Sequence, residues 1–448
     1  MKKSKILAII LAAAAVCSSV AGCSPKSADG GASDGGKNQV EEKKKDFSGV
    51  QLRVAGYRDL RTDPYNSSYS IGADKFMEEY PGSNVEFLVA GKEGGNEQIV
   101  AAVNAGDVWN VQLIIGVSLP GIFRNDLYTP IDEYINKNNP VYTKELVEEA
   151  GTYLGKTYAV GNVMMSDFQY GIYNETLYND YNIKTPAQYY QEGAWNRESF
   201  LKMIDDLKAN QVQMYLNFEK PNKTGTYAVE HHDDGTVELA YNKQPNREWL
   251  TFIKNIVYDK GVTSIKNGKT YTREVGFALD ILPHILIDAK NSSTQDTIRY
   301  IPFLAKENPI SSYIVEYYFG VPNGAKDIEA SVELIDYMIK ACVEDRTAMY
   351  KENMLEEDYK IFEETAVDSH YIVRDCGVWP ENEVVEYFRA GGAVSTNIDE
   401  NATRMQTIVD DYNKSVEEDR AKMSSGGDKS ETAKGADNKE AEDKAAAE

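Results

Sequence analysis

The chain has 448 residues and a formal net charge of −23 at pH 7, because 71 acidic side chains outnumber 48 basic ones. So acidic a surface argues against a nucleic-acid-binding protein, since affinity for phosphates comes largely from lysine and arginine, and against docking onto anionic lipid through the protein surface. The four histidines and four cysteines show no zinc-type spacing, so we expect no metal and no cofactor.

The chain begins with features of a secreted lipoprotein. Three lysines precede an apolar run of eleven residues, Ile6–Val16, which is too short to span a bilayer and is typical of a secretory signal over residues 1–22. Val-Ala-Gly-Cys then resembles a bacterial lipobox, which implies cleavage before Cys23 and acylation of its sulfur, for example with palmitate. This would anchor the protein on the outer face of the cytoplasmic membrane in a Gram-positive-type envelope. An ordinary signal peptide with an incidental cysteine is the alternative.

Both ends of the mature chain are poor in apolar residues. Residues 23–46 predict a flexible tether, and residues 415–448, in which no aromatic residue occurs, predict a disordered tail. The remaining ~370 residues exceed what one hydrophobic core normally holds, so two domains are expected. Cys342 and Cys376 lie in this part. They could form a disulfide in an oxidising exterior, and two buried thiols are the alternative.

Strand and helix patterns alternate at the start of this central part. Val50–Tyr57 and Asn84–Val89 alternate apolar and polar residues as strands do, and Val108–Ile115 is an apolar run typical of a buried parallel strand. Helices are predicted over Ser70–Tyr80 and Asn96–Ala105. Strands that alternate with helices indicate an α/β sheet.

The stretch Gly155–Phe200 is the most informative one. Two short apolar strands are joined by a polar span, which suits a crossover between two lobes better than one packed core. The stretch contains Gly-Lys-x-Tyr-Ala at 155–159, Tyr-Asn-x-x-Leu at 173–177, Lys-Thr-Pro at 184–186 and Gly-x-Trp-x-x-x-x-Phe at 193–200. In this order and spacing, the motifs resemble the carbohydrate-type branch of the extracellular solute-binding proteins of ABC importers.

This resemblance implies an α/β fold of the periplasmic-binding-protein-like type II class, with two lobes, a hinge and a cleft between the lobes. We assign residues 47–163 and 298–324 to the first lobe and residues 164–297 and 325–414 to the second. The strands Tyr300–Phe303 and Tyr317–Val321 are thus expected to return to the first lobe. The hinge is expected near 161–166, 296–299 and 322–326.

Helical periodicity predicts most of the second lobe. Helices are expected over Arg197–Ala209, Asn246–Lys260 and Ile398–Tyr412, and a helix over Glu329–Ala341 is expected to recross from the first lobe. The Asp234-Gly235 pair is a hairpin turn signal. For that reason the adjacent His231-His232 pair fits an exposed turn better than a metal site.

Catalytic motifs fail on their context. Gly-Ala-Ser-Asp-Gly at 31–35 matches a nucleophile elbow in composition, but it lies in the tether and not between a strand and a helix. The Gly-Lys-Thr at 155–157 lacks the first glycine of a P-loop and precedes a strand. With few histidines and no way to bring three of them together, an acid–base enzyme has little support.

The thirty tyrosines of the chain suit a carbohydrate site. Sugar rings present apolar faces and hydroxyl edges, so a site for them combines aromatic platforms with polar groups at the rim, in the cleft between lobes. In the regions where the resemblance places ligand contacts, we predict the binding residues Tyr57, Arg58, Asp59, Tyr65, Ser118, Asp167, Asp280, Tyr317 and Trp379. Trp379 is the predicted platform, because Gly-Val-Trp-Pro-Glu indicates a loop. For each tyrosine, a packed ring with a satisfied hydroxyl is the alternative.

The predicted function is that of a monomeric, lipid-anchored receptor. It would capture a small solute, most simply a sugar or an oligosaccharide, by closure of its lobes and deliver it to the transmembrane permease of an ABC importer. A peptide or amino-sugar receptor of the same fold is the nearest alternative. An extracellular glycoside hydrolase or lyase would need two carboxylates at a defined separation in the cleft, and a surface adhesin would bind no small molecule saturably.

Overall fold

The computed structural model describes residues 45–63, 66–90, 97–216, 227–262, 275–290, 295–304, 307, 313–315, 317–368, 375–378 and 384–425. Contacts divide the chain into two units, Met1–Ser48 and Gly49–Glu448. In the first unit only residues 45–48 are described, where Ser48 N donates to Asp46 Oδ1 at 2.9 Å. The predicted signal peptide, Cys23 and nearly all of the tether lie outside the described residues. The elements below belong to the second unit.

Strands and helices alternate along this unit. The strands are β1 Gln51–Gly56, β2 Asn84–Val89, β3 Val111–Ile115, β4 Thr152–Tyr153, β5 Lys156–Thr157, β6 Ala159–Val160, β7 Asp167–Asn174, β8 Gln213–Leu216, β9 Val229–His231, β10 Val237–Leu239, β11 Val275–Ile281, β12 Ile298–Pro302, β13 Tyr313–Val315 and β14 Tyr317–Gly320. The helices are α1 Ser68–Glu79, α2 Glu97–Ala105, α3 Lys144–Glu149, α4 Glu175–Asp180, α5 Pro186–Gln191, α6 Arg197–Ala209, α7 Gln244–Lys254, α8 Leu282–Lys290, α9 Ile328–Asn353, α10 Glu356–Asp368, α11 Val384–Arg389 and α12 Val394–Ser425. Within the described residues, no helix combines the length and apolarity needed to cross a bilayer.

Two five-stranded sheets organise the unit. The first has the order β2-β1-β3-β14-β6, with β1, β2 and β3 parallel and β14 antiparallel to both of its neighbours. The second has the order β12-β7-β11-β8, and β13 also pairs with β7. All eight residues of β7 are buried, as expected for a strand in the middle of a sheet that is covered on both faces.

The chain passes between the sheets at two strand connections. The first connection is 161–166, which leads from β6 in the first sheet through the 3-10 turn Val163–Met165 to β7 in the second. The second lies between Val315 and Tyr317, where β13 on the second sheet is followed by β14 on the first. The predicted crossover at 161–166 is therefore present, whereas the predicted one at 296–299 is not.

The strand predicted over Tyr300–Phe303 belongs to the second sheet and not to the first. As β12, it pairs antiparallel with β7 along its whole length. The guanidinium of Arg299 fixes it there, because it is bound by Asp358 of α10 at 3.0 Å and by Glu175 of α4 at 2.9 Å. The assignment of 298–302 to the first lobe was therefore wrong. The sequence did not decide it, because an apolar strand suits the edge of either sheet.

The helix predicted to recross to the second lobe begins by packing on the first lobe. The beginning of α9 lies against α1, and a Cβ on Gly72 of α1 would come within 2.4 Å of the Tyr337 carbonyl oxygen. The absence of a side chain at Gly72 thus lets the two helices touch. Only the far end of α9 reaches the second sheet, where Tyr350 packs in one cluster with Phe168 and Tyr170. The boundary at 325 is accordingly wrong for this helix.

The tail predicted from residue 415 is helical as far as Ser425, and residues 426–448 lie outside the described residues. The last helix, α12, continues because Val416 extends the buried stripe of Met405, Val409 and Tyr412. Its end touches two hairpins: Asp419 accepts a hydrogen bond from Tyr153 of β4 at 3.1 Å, and Arg420 lies 3.7 Å from Asp234 in the β9–β10 turn.

Trp109, Trp195 and Trp249 are all buried, so their rings pack in the core. The β9–β10 hairpin turns at Asp234-Gly235 as predicted, with Gly235 at a φ of 79°. Cys342 and Cys376 are both buried and are not joined in a disulfide, which decides between the two alternatives that the sequence left open.

Candidate functional site

The carboxyl ends of the parallel strands β1 and β3 meet at one edge of the first sheet. Tyr57, Arg58 and Asp59 directly follow β1, and Ser118 ends the 3-10 turn that follows β3. In open α/β sheets, ligands bind outside the carboxyl ends of the strands. These four predicted residues therefore lie where a binding site is expected.

Two further predicted residues share an edge of the second sheet. Asp167 is the first residue of β7, and Asp280 is close to the end of β11, which runs antiparallel to β7. Asp280 pairs with Tyr170, so the two aspartates are separated by about 10 Å along the strand direction. Their shared edge is the one from which the chain crosses to the first sheet.

A chain of hydrogen bonds joins the two sheets at this crossing. The Tyr317 hydroxyl of β14 donates to Asp167 Oδ2 of β7 at 2.8 Å. The Tyr57 hydroxyl lies 3.0 Å from the Tyr317 hydroxyl, and the two rings are nearly parallel, with centroids 6.1 Å apart and an interplanar angle of 10°. Three of the residues predicted to bind ligand are thus in direct contact with one another.

The direction of these hydrogen bonds is fixed by the proton count. A tyrosine hydroxyl has one proton, and Tyr317 uses its proton for the hydrogen bond to the Asp167 carboxylate. Tyr57 must therefore be the donor in the hydrogen bond to the Tyr317 oxygen. Burial, and then the nearby Asp167 charge, raise the pKa of Tyr317 well above its ordinary value, so the hydroxyl keeps its proton. Tyr57 is partly exposed, and a hydroxyl that donates its only proton takes part in any further hydrogen bond as an acceptor.

The inner end of the chain is held by an arginine. Arg346 of α9 is 2% exposed, and its Nη2 lies 3.7 Å from Asp167 Oδ1. Its Nη1 donates to the carbonyl oxygens of Met164 at 3.1 Å and Ser166 at 2.9 Å. Since Asp167 is also only 7% exposed, this guanidinium supplies the opposite charge that a buried carboxylate needs.

Arg346 was not among the predicted residues. The predicted helix ended at residue 341, so the spacing of Cys342, Arg346 and Tyr350, four residues apart on one buried face, was not considered. A single arginine on an otherwise apolar helical face is the signal that could have revealed it, because a buried cation is almost always paired.

Asp59 and Arg58 are engaged within their own loop. Asp59 accepts hydrogen bonds from Arg61 N at 2.9 Å and from the Thr62 hydroxyl at 3.0 Å, and these bonds lower the pKa of its carboxyl. The Arg58 guanidinium lies 5.3 Å from the centre of the Tyr57 ring and 3.7 Å from Asp63. With a side chain that is 51% exposed, Arg58 remains accessible at the rim of this edge.

The remaining predicted residues divide into two groups. The Ser118 hydroxyl donates to the Ile115 carbonyl oxygen at 3.0 Å within its 3-10 turn, and Asp280 Oδ1 accepts from Ile281 N at 2.8 Å at the end of β11. Tyr65 and Trp379 lie outside the described residues.

The segment 375–378 connects the surroundings of Ser118 with the β9–β10 region. Cys376 N donates to the Leu119 carbonyl oxygen at 3.2 Å, and Gly377 N donates to that of Val117 at 3.0 Å. Asp375 Oδ1 accepts from Ala228 N at 2.9 Å. Burial raises the pKa of Asp375 to about 7, although hydrogen bonds from the backbone of residues 228 and 229 lower it.

The sheet order, the crossings and this edge can be compared with known proteins. A model described as bacterial extracellular solute-binding protein matches residues 60–341, which is more than half of the chain. The chain belongs to the bacterial extracellular solute-binding protein family. Proteins of this family are outward-facing solute-binding proteins and not enzymes, so the expected function as a solute receptor is confirmed.

Solved structures share the fold of this solute-binding protein. The GacH receptor of Streptomyces glaucescens, solved with acarbose, has a TM-score of 0.59 at 14% identity over 81% of this chain and 99% of its own. The galacto-N-biose/lacto-N-biose I-binding protein of Bifidobacterium longum has a TM-score of 0.61 at 12% identity over 83% of this chain and 99% of its own. UgpB of Mycobacterium tuberculosis, in complex with glycerophosphocholine, has a TM-score of 0.59 at 13% identity over 80% of this chain and 98% of its own. The two-lobed fold is thereby confirmed; a search of curated proteins by sequence gives no match.

Proposed function

We propose that this solute-binding protein captures a sugar or an oligosaccharide between its lobes and delivers it to the permease of an ABC importer. The ligand would lie against the edge formed by the ends of β1 and β3. Tyr57, Arg58, Ser118 and Asp280 would line the site, and Tyr65 and Trp379 would supply further aromatic surface. Asp167 and Tyr317 would act mainly by holding Tyr57.

The observation that carries this proposal is the direction of the hydrogen bonds from Tyr57. Because Tyr57 donates to Tyr317, its oxygen offers a lone pair and not a proton to the ligand. The chain of bonds ends on a carboxylate, and such chains polarise each member and strengthen the outer acceptor. Sugar hydroxyls are donors of the required kind, and two of the structural relatives were solved with sugar ligands or their analogues.

A phosphodiester such as glycerophosphocholine is the second candidate, because one structural relative holds it. The exposed Arg58 guanidinium could pair with its phosphate. The Tyr57 oxygen, however, would meet an anion that has no proton to donate, and the formal charge of −23 repels anions. The sugar is therefore the ligand we expect.

A thermal-shift screen of the purified protein against mono-, di- and trisaccharides, short peptides and glycerophosphocholine tests the ligand class. A sugar at 100 times its Kd should stabilise the protein by about 2.7 kcal/mol, which raises Tm by several degrees. Calorimetry then checks that binding is saturable, and chromatography of the released sugar checks that it is unchanged. Binding of glycerophosphocholine and of none of the sugars would contradict the proposal.

We further propose that the mature protein is a monomer tethered by lipid at Cys23 to the outer face of the cytoplasmic membrane of a Gram-positive-type cell. The basic start, the short apolar run and the Val-Ala-Gly-Cys sequence support this. Two acyl chains bind a membrane stably, whereas one chain binds marginally, so the anchor would keep the receptor beside its permease.

A further inference from the structure

Three segments carry the chain from one sheet to the other, and they meet around Arg346 and Asp167. The first is 161–166, the second lies between Val315 and Tyr317, and the third is the helix α9 itself. Its beginning packs on α1 beside the first sheet, and its far end packs in the cluster that covers β7. A change in the angle between the sheets must be taken up at least in part in these three segments, because the chain itself crosses between the sheets there.

Arg346 bonds the third segment to the first. Its Nη1 lies within 3.1 Å of the carbonyl oxygens of Met164 and Ser166, which end the crossover before β7. A buried carbonyl group that loses its donor costs ~1–3 kcal/mol. Rotation of the crossover away from α9 would break two such bonds at once.

Asp167 and Tyr317 bond the second segment to the other two. Asp167 faces Arg346 through Oδ1 and accepts from the Tyr317 hydroxyl through Oδ2. Tyr317 is the first residue after the second crossing and is 3% exposed. Since both oxygens of one carboxylate are engaged, a shift of either connection alone would leave a charged or polar group buried without its partner.

We propose that Arg346, Asp167 and Tyr317 form a hinge brace that fixes the angle between the two sheets. They are positioning residues, since they act on the ligand only through Tyr57 and through the relation of the lobes. Only the effect of the brace on ligand binding rests on the proposed function. The brace itself consists only of residues of this chain.

A measurement of the distance between the lobes tests the brace. Dyes are attached to Glu78→Cys on α1 and Ala209→Cys on α6, both exposed, in a full chain that also carries Cys17→Ala and Cys23→Ala. The two remaining thiols, at Cys342 and Cys376, are buried and should not react. Single-molecule energy transfer without any ligand then gives the distribution of lobe distances.

We expect Tyr317→Phe and Arg346→Lys to broaden this distribution. Tyr317→Phe removes one hydroxyl and keeps the ring, whereas a lysine keeps the charge but lacks the fork that reaches two carbonyls and a carboxylate. Tyr317→Phe also decides the question if Arg346→Lys does not fold. The experiment needs no ligand, so it stands even if the sugar screen fails.

Arg299→Lys is the matched control. Arg299 is also buried, at 6% exposed against 2% for Arg346, and is bonded to Asp358, Glu175 and Glu357, all of which lie beside the second sheet. It should lower Tm and leave the lobe distances as in the wild type. Wild-type distances in both Tyr317→Phe and Arg346→Lys would overturn the proposal, and so would an equal broadening in Arg299→Lys, which would mean that general destabilisation is the cause.

Discussion

The ring and the hydroxyl of Tyr57 have separate roles, so they can be tested separately. Tyr57→Phe keeps the ring beside Tyr317 and removes the oxygen offered to the ligand. We expect affinity for the sugar found in the screen to fall about tenfold, the effect of one hydrogen bond of ~1–1.5 kcal/mol, with little change in Tm. Calorimetric titration measures this. Tyr181→Phe, at a tyrosine that is 46% exposed, is the control, and an unchanged affinity in Tyr57→Phe would place the ligand elsewhere.

Asp375 should make stability depend on pH. Its pKa is about 7 in the folded protein and 3.8 ordinarily, so the folded state holds a proton that the unfolded state loses. The free energy of unfolding should therefore fall as pH rises from about 4 to 7, by up to ~1.4 kcal/mol per pH unit, and change no further above this range. Denaturant unfolding at pH 5, 6, 7 and 8 measures the effect.

Asp375→Asn isolates this contribution. Asparagine cannot ionise, and its carbonyl oxygen can still accept from Ala228 N. The difference between the wild type and the variant should shift by about 2–3 kcal/mol in favour of the variant between pH 5 and 7. Parallel stability curves for the two proteins over this range would show that Asp375 does not titrate there.

At the scale of residues, the sequence identified residues that lie close together but not the hydrogen bonds between them. Tyr57, Asp167 and Tyr317 could be named because each adjoins a strand end or a crossover. That they bond to one another depends on how β7 and β14 approach, which is set by pairing across long separations in sequence. Arg346 shows the same limit, because only the packing of α9 reveals which side chains its buried face meets.

The end of α12 is the element whose role differs most from expectation. A chain shortened after Lys414 loses Val416, which is fully buried, and the contacts of Asp419 with Tyr153 and of Arg420 with Asp234. Loss of a buried aliphatic side chain and a hydrogen bond should cost ~2–4 kcal/mol and lower Tm by several degrees. Calorimetric melting checks this, with a chain shortened after Ser425 as the control. Equal Tm values would mean that the last turns are dispensable.

Elements were predicted well where local pattern decides and poorly where partners decide. The strands β1, β2 and β3 and the helix α6 follow from apolar periodicity alone. The strand β12 was found but placed in the wrong lobe, because its buried residues would suit either sheet. The contacts of Arg299 with Glu175 and Asp358, which hold it beside β7, depend on the folded structure. In α12, the acidic and basic residues after Tyr412 concealed the single valine that continues the stripe.

For the molecule in its cell, the anchor is the feature to test. Cys23→Ala removes the sulfur that would carry the lipid, so the variant should leave the membrane fraction, because no described helix can replace the anchor. Fractionation followed by immunoblotting measures this, and intact mass should show a diacylglyceryl adduct on the wild type only. A variant that still sediments with membranes, together with a wild type that carries no adduct, would refute the lipobox.

The two crossings also bear on how the chain folds. Every strand of the second sheet comes from residues 167–315, between β6 and β14 of the first sheet. The first sheet therefore cannot place β14 between β3 and β6 until all of that intervening chain has emerged and its ends have been brought together, at an entropic cost that is lowest once the insert is compact. As the chain leaves the secretion channel from its amino end, we expect the second sheet to form while the first still lacks its fourth strand.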